Sequence, residues 1–564
     1  MRDTAPAPQE AVIIGINDVY RIEGIDEGAR RGIARLRTLR DRLERAHLDL
    51  LLLHAGDMFG PSFLGRTYHG EQMIDALNLL DGRPERGRFD GRMFVAFGNH
   101  EFDESTCEER DILRSRVAQS AFTWLASDID VAACHGAPAM LGDTDRVKPD
   151  AIVESGGIRI GLFALLLPFG ADDAGEEPEI RPILEVARQE TNRPRAQGAQ
   201  VMVAITHLPV EDDLRIVQTL GRDGPDLIVG GHDHTAMALP EGQPRIFKAD
   251  ADAATANVLF IRLGDDGRPF VELRRESLDA AAATDPMVQQ TVEAWLQRHA
   301  RAFCAEAREA ADCLDQALGC TRTVIEGEEL KNRTRETGIG DWIADRMREA
   351  RPEADVALLN SGTLRLNHDL PAGSVLLRRH VEELFGFKSP LLVLRTTGAK
   401  LWGAAGNALR HRGEGDWAHR SGLTLAVGDD GRLARLKVRR ADGRVEEIRP
   451  DSKKQYQIVL SSCVACGGDG YDFGVDLAAC GGEAKQCRAQ IKDAVDGRGR
   501  RGRTAGDRVR RRERDRAACG RPHLRSRAAG LPHRPVVRRE AVARRGRCAG
   551  APRRPGRSDH SSGK

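Results

Sequence analysis

Residues 94–103 read FVAFGNHEFD: an apolar run breaks at Gly98, then delivers an amide, an imidazole and two carboxylates within five residues. A strand leaving a core for solvent can end this way. So can a strand that ends at a metal and proton-transfer site, and the fate of the other apolar runs separates the two. AVIIGI (11–16) leads to Asn17, Asp18 and Tyr20, and LDLLLLHAG (48–56) to Asp57. VMVAIT (201–206) leads to His207, and LIVGG (227–231) to His232, Asp233 and His234. Continuous Val/Ile/Leu runs, rather than alternating ones, indicate strands covered on both faces by helices, an α/β fold. IRIGLFALLL (158–167) is a further run, and GARRGIARLRTLRDRLERA (28–46) has the spacing of a covering helix.

In an open α/β sheet the carboxyl ends of the strands line one crevice, so five ends offering Asp, Asn or His should converge there. Without cations among them such groups repel and desolvate one another. Oxygen ligands mixed with imidazoles suit Mn, Zn, Fe or Mg. A carboxylate bridging two cations about 3.5–4 Å apart is the arrangement that clamps a phosphoryl group and activates a water.

The remaining sequence sets the frame. At 564 residues the chain has room for two or three domains. Aromatic residues make up only 4%, so aliphatic side chains must fill most of the core. Residues 497–564 hold 22 Arg and 1 Lys against 5 acids, a net +18 that leaves −17 on residues 1–496. An acidic body is a poor nucleic-acid surface, so nucleic acid is not an expected partner. The Arg-rich tail has no periodicity and should be disordered; its composition is also that of a GC-rich gene read out of frame.

The eleven cysteines follow no regular framework, and the opening MRDTAPAPQE lacks a secretory pattern. Reduced thiols in a cytoplasmic protein are therefore expected, or a periplasmic or secreted one if a misplaced start hides a leader. No run of about 18 apolar residues occurs, so no membrane span is expected. Thr284-Asp285-Pro286 offers a helix cap with proline in the first turn. Val288, Val292, Trp295 and Leu296 come after it at helical spacing, which predicts a linker helix reaching Leu318.

Taken together, Asp18, GDMF (56–59), GNHEFD (98–103), the His207 segment and GGHDH (230–234) resemble the calcineurin-like metallophosphoesterases. NRTRETGIGDWIADRM (332–347), LLNSGTLR (358–365) and GGDGY (467–471) resemble the carboxy-terminal domain of the 5′-nucleotidase family. The resemblance implies a four-layer α/β metallophosphoesterase sandwich over 11–265 and a linker helix within 280–318. A smaller α/β substrate-binding domain over 319–490 and the tail, 491–564, complete the expected layout.

It further implies hydrolysis of a small phosphate ester by two divalent metal ions (Mn, Zn, Mg or Fe). Nucleoside 5′-monophosphates are the leading substrates. Nucleotide sugars and 2′,3′-cyclic nucleotides are rivals, as are a thiosulfohydrolase-like reaction and a non-catalytic nucleotide- or metal-binding role. Asp57 would bridge the metals; Asn99, His207 and His232 would complete one site, and Asp18 and His234 would contribute to the other. His100, hydrogen-bonded to Asp103, would face the substrate and act on the leaving oxygen. Arg333 and Arg365 would hold the phosphate, Asn360 and Phe387 the base, and Asp469 the ribose. The resemblance also implies rotation of the second domain about the linker.

Two departures stand out. Tyr20 occupies a position where the family has His; a non-ligand, a phenolate ligand suited to ferric iron, and an altered or impaired site are the three readings the sequence leaves. Cys463, in SSCVACGG, stands where the family places a second aromatic ring against the base.

Overall fold

The computed structural model describes residues 9–26, 28–82, 88–102, 111–129, 145–167, 182–386, 390–465 and 470–473. Asp103, Phe387, Asp469 and the Arg-rich tail lie outside these residues.

Two sheets stack face to face in the first domain. Edge to edge, one runs Pro269–Ser277, Thr255–Leu263, Ala11–Ile16, Leu51–His54, Met93–Ala96, Thr123–Leu125 and Val147–Lys148. The other runs Met237–Leu239, Ile246–Lys248, Leu227–Gly230, Val201–His207, Ile158–Leu166 and Asp150–Ser155. The strands that lead to the polar loops pair in parallel with one another within each sheet.

The layering explains the unbroken apolar runs. Ala11, Ile13, Leu51, Leu53 and Phe94 face Ile160, Leu162, Val203, Ile205 and Val229 across the inner core. Their neighbours Val12, Ile14, Leu52 and Val95 point the other way, onto helices Ile33–Glu44, Glu71–Leu77 and Pro286–Glu306. Helices Ile183–Ala196 and Val210–Leu220 cover the far sheet through Ile183, Val186, Ile216 and Leu220. Four layers, α/β/β/α, are the result, as the resemblance implied. Each inward Leu or Ile contributes about 1.5–3 kcal/mol by leaving water.

Helix Pro286–Glu306 begins as expected: the Asp285 side chain accepts from the N–H groups of Met287 and Val288, both at 3.0 Å. Its far end corrects two expectations. The helix stops at Glu306 instead of reaching Leu318, and Cys304 and Cys313, expected as reduced thiols, form a disulfide. The second fact explains the first. Their Cα atoms lie 5.7 Å apart, whereas nine residues of continuous helix would separate them by about 13 Å. The chain must turn back to bring Cys313 and Leu314 against Phe63 and Phe303.

The second domain is built on a sheet ordered Leu391–Thr397, Gln455–Ser461, Val356–Asn360 and Ala418–Ser421. Helices Gly338–Ala350 and Gly398–Arg410 pack on it through Ile343, Met347, Leu401 and Ala405. Several of its contacts with the first domain are polar. Arg66 pairs with Glu382 at 2.8 Å, Arg21 lies 3.9 Å from Glu383, and the Asn367 amide donates to Asp252 at 3.1 Å.

Candidate metal centre

Asp18 lies just beyond Ala11–Ile16, Asp57 beyond Leu51–His54 and Asn99 beyond Met93–Ala96. His207 ends Val201–His207, and His232 and His234 come after Leu227–Gly230. The five ends converge, but from two sheets rather than the crevice of one: three strands come from one layer and two from the other. Asp18, Asp57, His232 and His234 have φ of 52°, 59°, 79° and 59°. L-residues populate this left-handed region sparingly, so four such backbones together mark loops held in shape by their surroundings.

One holder is Glu101, which the sequence alone does not single out. Its buried carboxylate accepts from the N–H groups of Gly98 (2.6 Å), Asp57 (2.9 Å), Met58 (2.8 Å) and Phe59 (3.2 Å). Burial, and then the charge of Asp57, push this carboxyl up to about 7. The two loops touch so closely that a Cβ on Gly98 would fall 2.1 Å from Asp57 Oδ1, so only glycine fits there.

Asp57 occupies the middle. Its Oδ1 accepts from the His100 N–H at 2.9 Å. Its Oδ2 lies 3.3 Å from His207 Nε2, 3.0 Å from Tyr20 Oη and 3.8 Å from His100 Nε2. Asp18 Oδ2 accepts from the Asn17 amide at 2.7 Å and the His232 N–H at 2.9 Å. Its Oδ1 faces His234 Nε2 at 3.3 Å. Atoms of Asp18, Asp57 and His207 able to bind a metal lie within 4.8 Å of one another.

Whether a cation fits is tested by the buried atoms that hydrogen-bond nothing. His207 Nδ1 lies 2.7 Å from the Ala55 carbonyl oxygen, which turns Nε2 toward Asp57 with no hydrogen-bond partner. Asn99 Oδ1 is likewise buried and unbonded. The His232 ring stands edge-on to His207, with centroids 5.3 Å apart. An amide oxygen and imidazoles gathered around a carboxylate form a donor set for a divalent cation.

The charges agree. Burial alone would raise the Asp18 carboxyl, but His234 and His207 outweigh it and hold it at about 2. Asp57 is held well below the usual range by His207 and His100, again against burial. Burial opposes charge on His207, yet Asp57 lifts it to about 9. The two carboxylates thus rest on imidazolium charge in a place where cations would serve.

Tyr20 is fully buried in the other half of the cluster. Its Oη lies 3.1 Å from Asp18 Oδ1, 3.0 Å from Asp57 Oδ2 and 2.8 Å from His234 Nε2. Burial and the two carboxylates raise its pKa well above the ordinary phenol value. One hydroxyl proton cannot serve all three neighbours.

The second domain reaches the same place. Glu329 opens helix Glu329–Thr334, and both its oxygens lie 3.0 Å from His234 Nδ1. It pairs with Arg333 and stands 3.6 Å from Arg365. Arg365 is also braced by its Nε donating to Gly362 O at 2.7 Å. Asn360 begins the same loop, its Oδ1 accepting from Thr363 at 2.7 Å. Cys463 is exposed at the turn Ser462–Ala465. Glu329 is not evident from sequence, because a Glu four residues before an Arg reads as an ordinary helical ion pair.

Comparison with known proteins accords with this geometry. Residues 11–236 match the calcineurin-like phosphoesterase family, and residues 318–475 match the 5′-nucleotidase C-terminal domain. The chain carries the two domains of the 5′-nucleotidases in their order. As a 5′-nucleotidase relative it is 23% identical to the snake venom 5′-nucleotidase of Naja atra over 520 residues, which span 82% of this chain and 91% of that protein. It is 22% identical to the human 5′-nucleotidase over 522 residues, 82% of this chain and 84% of that one. The crystal structure of a 5′-nucleotidase precursor from Thermus thermophilus shares the fold at a TM-score of 0.66 and 21% identity, over 86% of this chain and 96% of that one. A sulfate thiohydrolase of the same organism superposes at 0.64 with 16% identity, over 88% and 96%. Members of the 5′-nucleotidase family are hydrolases of phosphoester bonds, and the metallophosphoesterase domain implies divalent metal ions. Among the described residues no helix is long and apolar enough to cross a membrane.

Proposed function

We propose that this chain hydrolyses nucleoside 5′-monophosphates to nucleoside and phosphate with a pair of divalent cations. The observation that carries the proposal is the position of Asp57. Its carboxylate lies between His207 on one side and Tyr20, beside Asp18, on the other, while Arg333 and Arg365 flank Glu329, which faces His234 of the same cluster. Asp57, Asn99, His207 and His232 would hold one cation, and Asp57, Asp18 and His234 the other. Bound cations would polarise the phosphoryl oxygens and supply a nucleophilic water.

The chain's own groups do the rest. Arg333 and Arg365 present guanidinium forks that match phosphate geometry. His100, whose side chain is 15% exposed beside Asp57, is placed to donate a proton to the leaving oxygen. Asn360, Phe387 and Asp469 would hold the nucleoside. The exposed Cys463, in place of a second ring, favours a looser grip on the base and keeps nucleotide sugars and 2′,3′-cyclic nucleotides as rival substrates. For location, the Cys304–Cys313 disulfide favours an oxidising compartment over the cytoplasm.

The test is phosphate release from AMP, UDP-glucose, 2′,3′-cyclic AMP and an artificial diester. Each is assayed after chelation and add-back of Mn, Zn, Mg or Fe. AMP should turn over fastest. Two bound cations with nucleotide binding but no release from any substrate would refute catalysis and leave a binding module.

A further inference from the structure

Glu329 is a partly buried carboxylate, 14% exposed, that the proposed chemistry does not use. It belongs to the second domain, yet its closest partner outside its own helix is His234, a residue of the first. The contact has a chemical meaning. An imidazole whose Nδ1 faces a carboxylate keeps its proton on that nitrogen, which leaves the Nε2 lone pair for a metal. Nε2 of His234 points at Asp18 Oδ1 and Tyr20 Oη, 3.3 and 2.8 Å away. His207 uses the same device, but its Nδ1 partner is the Ala55 carbonyl of its own domain, at 2.7 Å.

We propose that Glu329 is a positioning residue for the metal pair: its carboxylate, supplied by the second domain, fixes His234 for the cation on the Asp18 side. This inference rests on the two-cation reading above. It makes one cation dependent on where the second domain lies, whereas the cation at Asn99, His207 and His232 depends on the first domain alone. Glu329 is tied in turn to Arg333 and Arg365, so the groups proposed to meet the phosphate and the group that orients the metal-facing imidazole form one charged cluster. By thermodynamic reciprocity, the cation it helps to hold favours the docked arrangement of the domains.

The experiment is Mn²⁺ titration of the metal-free full chain without substrate, read by calorimetry and by the electron paramagnetic resonance of unbound Mn²⁺. Wild type, Glu329→Gln and Glu329→Ala are compared. Loss of a carboxylate behind a metal-bound His weakens binding by about 10–100-fold. Glu329→Ala should therefore weaken one of two cations by that factor and leave the other within about twofold. Glu329→Gln, the same shape with an acceptor oxygen retained, should fall between and guards against a merely misfolded Ala variant. Equal affinities in all three proteins would overturn the proposal, as would equal weakening of both cations or a single cation in the wild type. Because no substrate is present, a split in affinity without turnover on any ester refutes the hydrolase reading alone. Turnover without a split refutes only the role of Glu329.

Discussion

The two halves of the candidate centre are built by different means. The half around Asn99, His207 and His232 is made within one domain, from strand ends locked by backbone: a carbonyl holds His207, and four backbone N–H groups converge on Glu101. The half around Asp18 and His234 contains a phenol where the family has an imidazole, and its histidine is held by a carboxylate from the other domain. Backbone scaffolding makes a site that is complete whenever the domain is folded. A side chain borrowed across a domain boundary makes a site that responds to domain position and tolerates a change of residue.

Mutation can break or sharpen this contrast. If Asp57 serves both halves as proposed, Asp57→Asn should lose both cations and lower phosphate release by about 10³-fold or more, checked by metal analysis beside the assay. His100 is proposed as a proton donor and not as a ligand of either half. His100→Ala should keep both cations and lose about 10²-fold in kcat; loss of metal would show that it belongs to the cage. Glu101→Gln removes the charge that four N–H groups point at, and should cost about 2 kcal/mol of stability in denaturant melts. An unchanged midpoint would mean that the backbone half does not rely on it. The smallest effect is expected for Tyr20→His, which should tighten the cation on the Asp18 side about tenfold and leave the other within about twofold. A chain coloured by ferric iron that bleaches in this variant would instead identify Tyr20 as a phenolate ligand.

Much of this was legible in the sequence because the strands and the candidate ligands come together. Runs such as AVIIGI and VMVAIT are apolar on both faces, since one face meets the second sheet and the other meets helices. Each run then stops at a residue type that a core does not tolerate unpaired. The two-sheet origin of the site was not legible from periodicity, because a strand covered by a sheet and one covered by a helix have the same apolar pattern. Glu101 lay in plain view inside FVAFGNHEFD, but its partners Met58 and Phe59 are more than forty residues away in sequence. The end of the linker helix depended on Cys313 folding back to Cys304, a pairing that spacing does not specify. In Glu329 a local pattern, an ion pair one helical turn long, concealed a contact to another domain.

The polar seam between the domains has a consequence of its own. Arg66 with Glu382, Arg21 with Glu383, and Asn367 with Asp252 are groups that water solvates well. Parting them returns each charge to hydration instead of exposing oil, so separation forfeits little free energy compared with an apolar joint of equal area. These groups are shielded from solvent while the domains are docked, so mobile ions screen them little, and removing one partner, as in Arg66→Met, should loosen the joint more than raising the ionic strength does.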